Sequence, residues 1–117
     1  MAYDRNNVFA RILRGELPCS KVYEDEYVLA FRDINPQAPT HVLLVPKRHI
    51  ASLNDLAPGD DQIVGELARR AAAIAKERGI AAGGYRVVFN TNRDAGQTVF
   101  HIHLHLLGGR SMKWPPG

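Results

Sequence analysis

The sequence is poor in cysteine and in long apolar runs, and each shortage excludes a class of protein. Cys19 is the only cysteine among 117 residues, which excludes an intramolecular disulfide and a zinc site built from paired cysteines. No run approaches the ~20 apolar residues of a membrane-spanning helix, and the first residues have no apolar core of a secretory signal. We therefore expect a cytoplasmic protein in a reducing compartment, with no membrane partner.

The sequence also has little excess of charge of either sign. The formal net charge is only +3, and lysine and arginine form no continuous block. A basic tail for nucleic acid is thereby excluded, whereas a mildly positive protein still attracts a small phosphate-bearing ligand. The length and a hydrophobic content of 45% predict one domain over residues 1–117. A nucleotide is a better expected partner than a nucleic acid.

Hydrophobic spacing predicts the fold class. Asn7 is expected to cap a short helix that ends at Leu13, and a long amphipathic helix is expected to begin near Pro58 and end at Gly79. Strands are predicted at residues 21–24, 27–32, 41–46, 85–91 and 98–107. Because helices and strands do not alternate regularly, this order favours an α+β fold with an antiparallel sheet over a doubly wound parallel one.

The last predicted strand carries the most informative motif, TVFHIHLHLL. Since strand side chains alternate, His101, His103 and His105 are expected to share one face, and the apolar residues between them to pack under the long helix. A lone histidine in such a strand is usually structural, but three in strict alternation favour a functional cluster. Like charges so close repel and couple their titrations. We therefore expect a neutral imidazole that attacks phosphorus beside protonated rings that stabilise the oxyanion.

Zinc binding is the alternative use of these histidines. Imidazole is a common zinc ligand, with bonds of about 2 Å. His101 and His105 would lie ~13 Å apart on a strand that rises ~3.3 Å per residue, too far for all three rings to share one ion. Two of them would need to join His41 or His49, and no nearby cysteine or acidic pair completes a set. The sequence therefore predicts no metal, with zinc as the second interpretation.

Polar segments on other predicted strands and turns are consistent with a nucleotide. Residues 94–98, Asp-Ala-Gly-Gln-Thr, predict a turn whose backbone amides, carboxamide and hydroxyl can hold a phosphate. Asp33 ends a predicted strand, where a carboxylate can accept both ribose hydroxyls while Ile34 faces a base. Asn90 closes another strand. Each of these residues alone is typical of an ordinary turn, and the neighbouring histidines favour the functional interpretation.

With these residues assembled, the sequence resembles the histidine triad (HIT) family, and within it the Hint branch, the purine nucleoside phosphoramidases. The histidine motif indicates the superfamily, and the closing Trp-Pro-Pro-Gly is specific to the Hint branch. The similar segments cover nearly all of the chain: FRDINPQAPTH at 31–41, VPKRH at 45–49, GYRVVFN at 84–90, HIHLHLL at 101–107, GGR at 108–110 and WPPG at 114–117.

The resemblance implies a fold, an assembly and an activity. The fold is a HIT-like antiparallel five-stranded sheet with one short N-terminal helix and one long central helix, in a homodimer whose sheet continues across the interface. The activity is hydrolysis of purine nucleoside 5′-phosphoramidates, of the adenosine 5′-monophosphoramidase type, through a covalent nucleotidyl-histidine and without cofactor. A dinucleoside polyphosphate hydrolase and a nucleotide-binding interaction module with incidental hydrolysis remain open as alternatives.

The resemblance also implies roles for individual residues. His103 is the nucleophile, and His101, His105 and His41 orient it and stabilise charge. Gln97 and Thr98 hold phosphate oxygens and help the leaving group, and Asp33 and Asn90 address the ribose. The other nucleotide-binding positions are Gly96 and Val99, together with the residues that line the base pocket: Val8, Phe9, Ile12, Phe31 and Ile34.

Three positions near the end of the chain bear on the implied site. Trp114 is expected near the site of the partner subunit. Thr98 stands where serine is frequent in the family, and Lys113 stands where some members carry histidine. The differences from the family at Thr98 and Lys113 bear on the leaving-group preference and the dimer contacts.

Overall fold

Helices and strands follow one another largely in the predicted order. The structure, a computed structural model, describes residues 2–117. The elements are α1 (Val8–Leu13), β1 (Lys21–Glu24), β2 (Val28–Arg32), β3 (Thr40–Pro46), α2 (Asp61–Glu77), β4 (Tyr85–Val88) and β5 (Leu104–Gly108), with single 3₁₀ turns at Leu53–Asp55 and Arg93–Ala95.

The strands form one five-stranded sheet in the order β1-β2-β3-β5-β4, and each neighbouring pair is antiparallel. The predicted α+β class with an antiparallel sheet is confirmed. β1 and β2 form the predicted hairpin, in which the Asp25 carboxylate accepts the backbone N–H groups of Tyr27 and Val28. β3 is the central strand, and all of its residues but Thr40 are buried, as its apolar sequence predicts.

Each face of the sheet is covered by one helix. α2 packs its buried side chains, Leu67, Ala71, Ile74 and Ala75, against one face, where Leu104 and Leu106 of β5 are fully buried. α1 lies on the other face, where Phe9 joins Phe31 and Leu43 in a second apolar cluster. The triad histidines are therefore left on the α1 side, as the alternation with apolar residues predicts.

The last strand is shorter than the sequence predicts, and this corrects one expectation about the triad. β5 begins at Leu104 rather than Thr98, so His101 and His103 precede the strand and only His105 lies in it. The preceding residues pair elsewhere, since the Ile102 N–H donates to the carbonyl of Ile50, beyond the end of β3, at 2.7 Å. The prediction that one strand over residues 98–107 carries all three histidines is wrong, although the rings of His103 and His105 still lie side by side, 5.1 Å apart.

The other boundaries differ by a few residues. β4 ends at Val88 instead of Thr91. α2 begins at Asp61, within the start predicted at residues 58–61, and ends at Glu77, before Gly79. Within residues 2–117, neither helix combines the length and the apolarity needed to cross a bilayer.

Candidate active site

The central histidine of the triad is buried and is oriented by the backbone. His103 is 8% exposed, and its Nδ1 lies 2.7 Å from the carbonyl oxygen of His101. Because a carbonyl oxygen only accepts, Nδ1 carries the ring proton, and the lone pair of the neutral ring lies on Nε2. Phe9 packs edge-on against the ring, with centroids 4.8 Å apart. The geometry therefore leaves Nε2 as the ring nitrogen with a free lone pair.

A second series of hydrogen bonds determines which ring nitrogens of His41 and His105 carry the protons. The Gln37 N–H donates to His41 Nδ1 at 3.0 Å, so neutral His41 carries its proton on Nε2. That atom lies 2.9 Å from His105 Nδ1, which accepts. The proton of His105 is therefore on Nε2, and its ring lies 5.1 Å from the ring of His103. This places an N–H donor on the ring beside His103, and such a donor can stabilise developing negative charge.

Asp33 is the acidic residue of the histidine cluster. It follows β2, its Oδ2 lies 3.3 Å from His41 Nε2, and its Oδ1 accepts the Asn35 N–H at 2.8 Å. Sequence reasoning assigned Asp33 to a ribose and missed its contact with His41. The contact depends on the pairing of β2 with β3, which no local spacing reveals.

Burial lowers the pKa of all four histidines of the cluster. The pKa of His101 and that of His105 are each lowered to about 4, first by burial and then by neighbouring histidines. Burial also lowers the pKa of His41, against the opposing effect of Asp33, and that of His103, against the opposing effects of the His101 carbonyl and then of Asp33. All four rings are therefore neutral at neutral pH. The expected mixture of neutral and protonated rings is wrong for the free protein, because the cost of burying a charge exceeds the help from the neighbouring carbonyls and Asp33.

Zinc has a candidate donor set, but the set does not fit the metal. Asp33, His41 and His105 each offer a ligand atom within 4.8 Å of the others. A zinc-bound Nε2 on His41 would require the proton on Nδ1. The Gln37 N–H already points at Nδ1, so two N–H groups would face each other. His41 therefore cannot serve as a zinc ligand in this conformation.

The turn predicted before the histidine motif forms, but one of its side chains is already engaged. The loop contains the turn at Arg93–Ala95 and Gly96, which adopts a positive φ of 79°. Gln97 is buried, and its carboxamide donates to the carbonyls of Ala51 and Val99 and accepts from the Asn92 N–H. Gln97 therefore shapes the loop rather than presenting a free amide, and this differs from its predicted contact with phosphate. Thr98 is exposed.

The expected base-pocket residues divide into a packed group and an exposed group. The rings of Phe9 and Phe31 lie 5.5 Å apart, and Ile12 and Val99 pack against the same cluster. Val8 is 47% exposed and Ile34 is fully exposed. Asn90 is half-buried shortly after β4. Of the expected base-pocket residues, Val8 and Ile34 therefore face solvent in the free protein, whereas the others are packed on the sheet.

Comparison with known proteins agrees with this arrangement. The HIT domain model matches residues 14–112. The purine nucleoside phosphoramidase of Escherichia coli K12 is 50% identical over 105 residues, covering 90% of this chain and 88% of that protein. The 14 kDa zinc-binding protein of Zea mays is 50% identical and covers 97% and 90%. Among solved structures, the HIT family hydrolase of Legionella pneumophila has a TM-score of 0.93 and 53% identity, covering 96% of this chain and 100% of that one.

The fold and the histidine cluster thus define one class of protein, and the chain belongs to the HIT family. Within that family it is a hydrolase. The resemblance stated from the sequence is confirmed.

Proposed function

We propose that this chain is a purine nucleoside phosphoramidase that cleaves the P–N bond through a covalent nucleotidyl intermediate on His103. The observation that carries the proposal is the hydrogen bond from His103 Nδ1 to the His101 carbonyl. It leaves the Nε2 lone pair free on a ring whose pKa is lowered by burial. A neutral imidazole with a defined free lone pair is the form that attacks phosphorus. The relative from Escherichia coli is named for this same activity, as a purine nucleoside phosphoramidase.

The reaction has two displacements at the α-phosphorus. His103 Nε2 attacks, the P–N bond breaks, and the amine leaves after it takes one proton from solvent. Water then attacks the same phosphorus and releases one proton to solvent, the P–Nε2 bond breaks, and the nucleoside monophosphate is released. His105 Nε2–H and the backbone N–H groups near Val99 stabilise the phosphate oxygens, and the exposed Thr98 hydroxyl assists the leaving amine. Gly96 shapes the loop, because its own N–H already donates to the Arg93 carbonyl.

The nucleotide is held on either side of this centre. Asp33 and Asn90 bind the ribose hydroxyls, and the Phe9–Phe31 cluster with Ile12 forms the floor of the base pocket. The exposed side chains of Val8 and Ile34 close over the base and lose their contact with water. No cofactor enters either displacement.

The active form is a homodimer whose sheet continues through β4. The sheet has two edges, and β1 carries the ion pair Lys21–Glu24, a charged feature of the kind that discourages edge pairing. β4 instead exposes Tyr85 and Val87, which are 39% and 44% accessible. Trp114 is 82% exposed and lies near the site of the partner subunit in the dimer. These exposed apolar side chains favour β4 as the contact.

The decisive experiment compares wild type with His103→Ala on adenosine 5′-phosphoramidate. We expect wild-type turnover, an adenylyl adduct on the peptide that contains His103 after an alkaline quench, and loss of both in the variant. Binding of AMP is retained, because ribose and base contacts do not involve His103. AMP binding serves as the control for folding. Unchanged turnover in the variant contradicts the mechanism.

Three further outcomes of these assays separate the alternatives. Preference for a diadenosine polyphosphate over the phosphoramidate favours the dinucleoside polyphosphate hydrolase. Activity lost on metal chelation favours zinc, in line with the name of the maize relative. AMP binding without any hydrolysis by wild type favours the interaction module.

A further inference from the structure

Tyr3 lies against the first histidine of the triad, in a segment for which the sequence predicted no element. Its hydroxyl is 2.5 Å from His101 Nδ1. The Tyr3 ring stacks on His49, with centroids 4.5 Å apart and planes 6° from parallel, and meets the His101 ring edge-on. His101 itself is fully buried. The only described partner of its Nδ1 is therefore a residue from the opposite end of the sequence.

The direction of this hydrogen bond follows from the other nitrogen of His101. Nε2 lies 2.7 Å from the carbonyl oxygen of Pro46, which only accepts, so Nε2 carries the proton. Nδ1 of the neutral ring must then accept, and the Tyr3 hydroxyl donates to it. Hydrogen bonds at both ring nitrogens therefore hold His101 in one tautomer.

His101 in turn holds the nucleophile. Its backbone carbonyl accepts the Nδ1–H of His103, the bond that leaves Nε2 of His103 free. Tyr3, His101 and His103 are thus connected in series, while the Pro46 carbonyl anchors the far side of the His101 ring. A shift of the His101 ring or backbone changes the direction of the carbonyl that orients His103.

We propose that Tyr3 is a positioning residue, whose hydroxyl holds the His101 ring and thereby the carbonyl that orients the His103 nucleophile. The proposal rests on the phosphoramidase mechanism above, and it adds to it a group that touches neither phosphate nor nucleoside. Every buried side-chain nitrogen and oxygen within residues 2–117 has a hydrogen-bond partner. Loss of the Tyr3 hydroxyl therefore leaves a buried acceptor unsatisfied, which the structure relieves by moving the ring.

The test is Tyr3→Phe, which removes the hydroxyl and keeps the ring that stacks on His49. The matched control is Tyr27→Phe, at a tyrosine that is 60% exposed beside the β1–β2 turn. For each protein, kcat and KM on adenosine 5′-phosphoramidate are measured across pH, and ¹⁵N NMR follows the ring nitrogens of His101 and His103.

We expect Tyr3→Phe to lower kcat by about tenfold, equivalent to about 1.4 kcal/mol of barrier, with a smaller change in KM. The ring nitrogens of both His101 and His103 shift. The acid limb of the pH profile moves to higher pH, because the lost O–H donation had stabilised the neutral form of His101. Tyr27→Phe matches wild type in all of these measurements.

The readouts distinguish failure of this inference from failure of the proposed function. A Tyr3→Phe variant with wild-type kcat and unshifted His103 nitrogens overturns the positioning role, even if His101 itself shifts. If wild type does not cleave the phosphoramidate, the proposed function fails. The His103 resonances then decide alone whether Tyr3 orients that ring, and unshifted resonances overturn the inference.

Discussion

At the scale of single residues, the histidines of this site differ because each has a different hydrogen-bond partner. A carbonyl oxygen faces one nitrogen of His101 and of His103, whereas a backbone N–H faces His41. Each partner determines where the ring proton lies, so four chemically identical side chains take separate roles. Burial keeps all four neutral at neutral pH in the free protein.

The lowered histidine pKa values make stability depend on pH in one direction. The pKa of His101 falls from an ordinary 6.5 to about 4 on folding, chiefly through burial. Between these two pH values the unfolded chain binds more protons, so the free energy of unfolding decreases as pH falls from 6.5 towards 4. The contribution of His101 alone is about 3 kcal/mol, and it is fully present above pH 6.5.

Urea unfolding at fixed protein concentration, at neutral and at mildly acidic pH, measures this dependence. His101→Gln does not titrate, so its free energy of unfolding changes less with pH than that of wild type. An equal pH dependence in both proteins contradicts the assignment to His101.

At the scale of elements, α1 is short but places an aromatic ring against His103. Six residues form the helix, too few to be stable alone. Asn7 caps it by accepting the Ala10 N–H at 2.9 Å, and Phe9 anchors it to the apolar cluster on the sheet. The cap therefore supports the contact between Phe9 and His103.

Replacement of this cap tests its contribution. Asn7→Ala removes the acceptor and is expected to lower the free energy of unfolding by about 1 kcal/mol. Asn7→Asp and Asn7→Ser retain a capping oxygen and stay closer to wild type. Denaturant unfolding of the three variants checks this order, and equal losses in all three contradict a capping role.

At the scale of the whole molecule, the proposed dimer depends on an edge strand that the monomer leaves open. Backbone groups on the free edge of β4 have no partner strand, and the apolar side chains of Tyr85 and Val87 stand beside them. A second copy provides the partner that such an edge needs, and antiparallel pairing of two β4 strands is symmetric.

Val87→Lys places a charge at this contact and is expected to convert a dimer into a monomer of 13.0 kDa. Light scattering after size exclusion measures the mass. Leu53→Lys makes the same change at another exposed apolar side chain, between β3 and α2, and leaves the mass as in wild type. A wild-type mass for Val87→Lys contradicts β4 as the contact.

Much of the molecule follows from the sequence by itself. Periodicity locates both helices and all five strands, and alternation separates the triad histidines from Leu104 and Leu106. These features depend on residues close in the chain, because helix and strand periods are local. The motif at 101–107 also carries the resemblance to the HIT family, which the family match confirms.

Only the tertiary structure decided the state of the site. Four features of the site depend on segments that are distant in the chain: where β5 starts, what Gln97 binds, the contact of Asp33 with His41 and the bond from Tyr3 to His101. The burial that lowers the histidine pKa values also depends on such long-range packing. Periodicity describes only local geometry, whereas tautomers and charges depend on which groups long-range packing brings within hydrogen-bond distance and how much water it removes.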